Sequence, residues 1–337
     1  MDFRLDPDQL ALRSAAKDFC GKEISSTVVR AAFESPDGDS PELFKKQAEL
    51  GWLGLAVPES MGGVGMGPIE QAIVCEELGY RAAPGPYFST ACLAVPGLLA
   101  LGASDLVTQL LDGSVRATVA WDLAHVVDAP IADAFLVVDG DVAQWHARSD
   151  VDVTPRPSVD GTRRLASISV KGPGRELGPS TELHYGFGPG AARACDAQAV
   201  YLCAEMVGLM RWALDTTVQY LKDRQAFGVP IGTFQALQHR CADMLVQTES
   251  SSSATYYAAY AIANGLPDAA YATSVAMAYT LDAAHFVTGQ CIQLHGGIGY
   301  TWEHDAHLYF KRATTNRQIL LDAAYHRERI LQLDPGS

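Results

Sequence analysis

Two short segments carry the residues best suited to holding a ligand. The first runs Arg224-Gln225-Ala226-Phe227-Gly228-Val229-Pro230-Ile231-Gly232-Thr233-Phe234-Gln235. The second runs Gln293-Leu294-His295-Gly296-Gly297-Ile298-Gly299-Tyr300. A guanidinium such as that of Arg224 is a planar fork of five donors that matches a pyrophosphate. Phe227 offers a flat apolar face for an adenine or ribityl group, and the amide of Gln235 both donates and accepts. Gly296 and Gly297 let backbone approach a ligand without a Cβ in the way. Taken singly, each has an ordinary structural reading: an arginine at a helix end, a core phenylalanine, a glycine helix stop. Together they suit a dinucleotide that is gripped and not chemically altered.

Other candidates are weaker. Nine histidines raise the question of a metal, above all His295, His304 and His307, but no carboxylate or cysteine cluster in the sequence completes a ligand set. Seven cysteines (Cys20, Cys75, Cys92, Cys195, Cys203, Cys241, Cys291) never form a C-x-x-C pair, so neither a zinc site nor a disulfide framework is expected. The glycine-rich run Met61 to Gly67 is not the G-x-G-x-x-G of a strand-to-helix dinucleotide turn.

These segments need elements to position them. Asp6-Pro7-Asp8-Gln9 is a helix start with a capping box. Further helices are expected over Pro41–Leu50 and from Pro68 toward Gly79. The middle changes to short β-branched and aromatic runs, Ala117–Trp121, Ala134–Val138 and Leu165–Val170, separated by turns such as Asp139-Gly140-Asp141. Gly186-Phe187-Gly188-Pro189-Gly190 reads as an exit linker. Helical spacing then returns from about Arg193 to Arg224, Phe234 to Asn264, Asp268 to Leu294 and Asp305 toward Leu333. The expected fold is mainly α with a small β domain: an N-terminal helical domain over 1–115, a reduced β domain over 116–190 and a C-terminal four-helix bundle over 191–337.

Composition narrows the partners. A formal charge of −14 opposes non-specific binding to nucleic acid or anionic membranes. The longest apolar stretch, near Ala91–Leu101, is broken by proline and glycine and falls short of the roughly 20 residues of a membrane span. The acidic N-terminus is unlike a signal peptide, and a reducing cytoplasm is the expected location.

The two segments resemble the R-x-x-F-G-x-P-x-x-x-x-Q and Q-x-x-G-G-x-G-Y signatures of acyl-CoA dehydrogenases. The likeness extends to Glu49-Leu50-Gly51-Trp52 and Val57-Pro58-Glu59 in the first third. The resemblance implies that Arg224, Phe227, Gln235, Gln293, Gly296 and Gly297 hold the adenosine and pyrophosphate end of an FAD whose flavin lies mainly in a neighbouring subunit. It also implies α,β-desaturation of an acyl-CoA thioester, in which a glutamate removes the α-proton and the flavin takes the β-hydride. Here the sequence departs from the family. Counted back from Arg224, the first family position for that glutamate holds Gln198, followed by Ala199. The second, after the glycine turn, holds Leu320, with Asp322 two residues on as the alternative base. The family's flavin-contacting loop and strand in the β domain are missing around Thr118–His125. That pattern is similar to the shortened, non-catalytic subunit of heterotetrameric acyl-CoA dehydrogenases that act on CoA thioesters of steroid side chains. It implies an α2β2 assembly with a full-length catalytic partner that carries the substrate and shares the FAD. The alternatives are an active homomeric dehydrogenase using Asp322 and a flavin-free scaffold.

Overall fold

The computed structural model describes residues 4–180 and 193–333; the expected linker 186–190 lies outside them. Six helices precede the first strand: α1 (Pro7–Glu23), α2 (Ser26–Glu34), α3 (Pro41–Glu49), α4 (Pro68–Tyr80), α5 (Val95–Ala100) and α6 (Ser104–Leu110). The expected capping box opens α1. Asp6 accepts from the Gln9 backbone N–H at 2.8 Å, and the Gln9 side chain accepts from the Asp6 N–H at 3.1 Å. A stretch of π-helix, Phe88–Ala94, runs directly into α5 and is buried throughout. The apolar run noted in the sequence is therefore core, and no described helix is long and apolar enough to cross a membrane.

The middle unit holds more strands than its β-branched runs announced: β1 (Ala117–Ala120), β2 (Val126–Val127), β3 (Ala134–Asp139), β4 (Val142–Ala147), β5 (Val151–Arg156), β6 (Leu165–Val170) and β7 (Arg175–Pro179). They form a four-stranded sheet in the order β1-β3-β4-β7 and a three-stranded sheet in the order β2-β6-β5. The Gly140-Asp141 turn fixes the β3–β4 register, pairing Asp139 with Val142. Phe135, Val137, Val151, Ala166 and Ile168 fill a separate small core here. The sequence missed β2, β4, β5 and β7; of these, β4 and β7 carry polar residues on a half-exposed face, which hides the alternation.

The bundle follows: α7 (Arg193–Asp223), the short hairpin β8 (Gln225–Ala226) and β9 (Val229–Pro230), then α8 (Gln235–Ala263) and α9 (Ala269–His295). The expected fourth helix is two helices, α10 (Ala306–Asn316) and α11 (Ala323–Leu333). Consecutive left-handed residues, Leu320 at φ 59° and Leu321 at φ 70°, break it. Helical periodicity persists across the break, so only backbone geometry reveals it. At the crossing of α4 and α7 the backbones touch. A Cβ on Gly79 would lie 2.1 Å from the Glu205 carbonyl oxygen, and one on Gly208 2.0 Å from that of Glu76.

One buried charge network ties all three units together. Arg312 of α10 bonds Asp160 and Glu205 at 2.5 Å each, the Thr162 hydroxyl, and the Ala83 carbonyl at 3.1 Å. Arg163 bonds Glu205 at 2.9 Å and Asn316, and its guanidinium lies 4.3 Å over the Phe88 ring. Burial pushes the Glu205 carboxyl up, but the two guanidiniums outweigh it and hold it below the usual carboxylate range. Removing one member leaves buried charges without their partners. Arg312→Met is expected to lower unfolding free energy by roughly 3–5 kcal/mol. Adding Glu205→Gln and Asp160→Asn is expected to recover part of that loss in urea titrations.

Candidate functional site

The two signature segments meet at one end of the bundle. Arg224 directly follows α7 and Gly296 directly follows α9. One turn before Arg224, the Tyr220 ring stacks on that of His295 at 4.5 Å, and the His304 ring lies 4.3 Å from that of His295. His295 is buried and donates Nδ1–H to the Cys291 carbonyl at 2.7 Å; burial lowers its pKa from the ordinary histidine value, against the raising effect of that hydrogen bond. This stack couples the ends of α7 and α9, and nothing in the local sequence pattern announced it. It also explains the histidines: they pack ring on ring, and among the described residues no group of three or more His, Cys, Asp or Glu could hold a metal.

Arg224 is exposed and has no ion-pair partner among the described residues. Gln235, Gln293, Gly296 and Gly297 are exposed as well. Gly296 adopts φ 62° and ψ −138°, a conformation that side chains exclude. A Cβ at Gly296 or Gly297 would meet nothing within 4 Å, so the space above this backbone is open. Phe227 and Gly228 form the two-residue loop of the β8–β9 hairpin, with φ of 56° and 82°. Positive φ at both positions is a type I′ turn, which favours Asn-Gly. A phenylalanine there is strained, and the residue is 94% exposed. An unpaired guanidinium, an open glycine backbone and a strained, solvent-facing aromatic ring fit a dinucleotide brought to this surface.

The residues at the expected base positions lie elsewhere. Gln198 on α7 is fully buried, and its amide donates to the Leu93 carbonyl of the π-helix at 2.7 Å. Ala199 beside it is core. Leu320 is buried in the break between α10 and α11, and its carbonyl accepts from Nε2–H of His326 at 3.1 Å. Asp322 is exposed and caps α11, accepting from the Tyr325 N–H at 2.8 Å. At the junction of the three units, beside Glu205, Arg163 and Cys75, the remaining space is about 20 Å³, enough for one water molecule. The sequence reading expected Gln198 and Leu320 at the two base positions. It did not show the charge network, whose partners are scattered from Ala83 to Asn316.

Models of the acyl-CoA dehydrogenase N-terminal and C-terminal domains match residues 6–117 and 191–320. The chain belongs to the acyl-CoA dehydrogenase family. The acyl-CoA dehydrogenase IpdE2 of Mycolicibacterium smegmatis is 37% identical over 92% of this chain and 93% of its own length. The Mycobacterium tuberculosis IpdE2 is 36% identical over 92% of each. Among solved structures, the steroid acyl-CoA dehydrogenase Tcur3481–Tcur3483 superposes with a TM-score of 0.85 at 26% identity, covering 97% of both chains. The ChsE4–ChsE5 complex of M. tuberculosis shares the fold, with a TM-score of 0.87 at 24% identity over 98% of each chain.

Two measurements probe this geometry. Phe227→Asn relieves the left-handed strain and is expected to stabilise the isolated chain by about 1 kcal/mol. The same change is expected to weaken retention of a dinucleotide at the bundle end, read by cofactor content. Separately, burial holds His326 down at about 4, below its unfolded value. Its contribution is therefore complete above about pH 6.5 and is lost as pH falls toward 4. Burial pushes Asp128 up to about 6, which acts in the opposite sense, so the comparison is with a variant. Between pH 7 and pH 5 the native chain is expected to lose roughly 2 kcal/mol more stability than His326→Gln.

Proposed function

We propose that this chain is the non-catalytic β subunit of an α2β2 FAD-dependent acyl-CoA dehydrogenase. In this reading it supplies the grip on the adenosine and pyrophosphate of an FAD shared with a full-length catalytic partner. The observation that carries the proposal is Gln198. At the family's base position stands a buried amide already hydrogen-bonded to backbone, and an amide does not take up a proton near neutral pH. Leu320 at the second position has no ionisable group. Asp322 faces solvent as a helix cap, which argues against the active homomeric alternative.

The exposed set at the bundle end supports the other half of the reading. Arg224 would pair with the pyrophosphate, Phe227 would lie on the adenosine, Gln235 and Gln293 would orient it, and the Gly296-Gly297 backbone would approach the phosphates. When bound, the flavin accepts the β-hydride of the thioester; the residues here would only position it. The flavin-free scaffold alternative leaves an unpaired arginine, an open glycine turn and a strained phenylalanine without a role. Similarity to the steroid dehydrogenase Tcur3481–Tcur3483, and to the fold of the ChsE4–ChsE5 complex, supports a heteromeric assembly and a steroid side-chain CoA thioester as substrate. The absence of a membrane-spanning helix among the described residues accords with a cytoplasmic location.

The test is co-expression with a full-length dehydrogenase chain, followed by FAD quantification and thioester oxidation assays. One FAD per pair of chains is expected, with no oxidation by this chain alone. One FAD per chain, or turnover by the isolated chain, overturns the proposal. Arg224→Ala is expected to reduce FAD affinity of the complex by roughly tenfold or more, since a charge-assisted contact contributes about 1.5–3 kcal/mol.

A further inference from the structure

A second chemically capable pair lies inside the N-terminal helical unit, apart from the bundle end. Cys75 of α4 and Cys92 of the π-helix are free thiols, both buried, with their sulfurs 3.4 Å apart. The Gln71 amide reaches both, at 3.5 Å to the Cys92 sulfur and 3.9 Å to that of Cys75. The same amide donates to the Tyr87 hydroxyl at 2.8 Å, and Tyr87 in turn donates to the Trp52 carbonyl at 3.2 Å. The π-helix sets the position of Cys92, because its extra residue per turn shifts every following side chain around the helix axis.

We propose that Cys75 and Cys92 form a dithiol that a hydroperoxide converts to an intrachain disulfide. A disulfide has an S–S bond of about 2.05 Å, so the two sulfurs need to close by roughly 1.4 Å. The entry route is visible. Cys75 lines the one-water space of about 20 Å³, and so do Ala83 and Gly85, which are partly exposed on the connection after α4. Cys92 does not line it. That difference assigns the roles. Cys75 meets the oxidant first, and Cys92, whose thiol burial pushes well above the ordinary cysteine value, resolves the product.

In the first step the Cys75 sulfur attacks one peroxide oxygen. An S–O bond forms and the O–O bond breaks. The other oxygen leaves as water with the thiol proton, and Cys75 becomes a sulfenic acid. In the second step the Cys92 sulfur attacks the Cys75 sulfur. The S–S bond forms, the S–O bond breaks, and the hydroxyl leaves as water with the Cys92 proton. Two thiols lose two electrons and two protons, and one hydrogen peroxide is reduced to two waters. The product ties α4 to the π-helix across a sequence separation of 17 residues. Leu93, whose carbonyl holds the Gln198 amide, adjoins Cys92.

The test uses the full chain as purified, with hydrogen peroxide as the probe, and needs no substitution. After oxidation the protein is denatured, its free thiols are alkylated, and the peptides are mapped with and without a reducing agent. The peptides carrying Cys75 and Cys92 are expected to be joined, lighter by two hydrogens, and separated again by dithiothreitol. The oxidised chain is expected to melt a few degrees higher than the reduced one, as cross-linking restricts the unfolded chain. The half-exposed Cys241 is the internal gauge of peroxide dose. Finding Cys75 and Cys92 still alkylatable when Cys241 is oxidised overturns the proposal. Finding each as a separate sulfinic acid, unlinked, overturns it equally. Cys75→Ala is expected to abolish the cross-link, and Cys203→Ala, a buried thiol elsewhere on α7, to leave it intact.

Discussion

The junction of the three units is arranged around two buried guanidiniums. Arg312 and Arg163 reach from α10 and from the loop between β5 and β6 to the same carboxylate, Glu205 on α7. Charges removed from water are tolerated only when paired and hydrogen-bonded. Asp160, Thr162, Asn316 and the Ala83 carbonyl complete that pairing. The partners belong to the N-terminal unit, the β unit and the bundle, so none of the three can shift without breaking a buried charge contact. The network contributes fixed geometry more than net stability, since well-packed apolar groups of similar volume often serve stability equally well.

That geometry has a chemical consequence. A pocket for a thioester needs space and a group that can accept a proton. Here the junction is filled by arginines, a carboxylate already held by two cations, and the Phe88 ring beneath Arg163. Glu205 is acidic, but its lone pairs face Arg163 and Arg312 and its carboxyl is held below the usual range. A base must be free to take a proton, and this one is not. Glu205 therefore serves the junction as a counter-charge.

The fold was largely legible in the sequence because it rests on local signals. The Asp6–Gln9 capping box, the glycine at position 51 and the long apolar periodicities of α7, α8 and α9 each announce an element from a few neighbouring residues. The two signature segments were legible for the same reason. What escaped depends on distance or on backbone angles. Arg312 looks like an ordinary helical residue until Asp160, more than a hundred positions away, is folded against it. The Leu320–Leu321 break keeps helical periodicity while both residues turn left-handed. The stack of Tyr220, His295 and His304 joins residues that no pattern rule relates.

The contrast between interior and bundle end is the remaining clue to how this chain works. Folding normally satisfies polar groups and relieves strain, and the buried guanidiniums of Arg163 and Arg312 find their partners within the chain. At the bundle end the chain does neither. Arg224 has no counter-charge among the described residues, Phe227 occupies a left-handed turn position with its ring in solvent, and Gly296 leaves open space above its backbone. Strain and unpaired charge persist where something outside the chain compensates them. The stack of Tyr220 on His295 joins the helix ends that carry Arg224 and Gly296. A surface of this kind accords with the proposed role of completing another subunit's site.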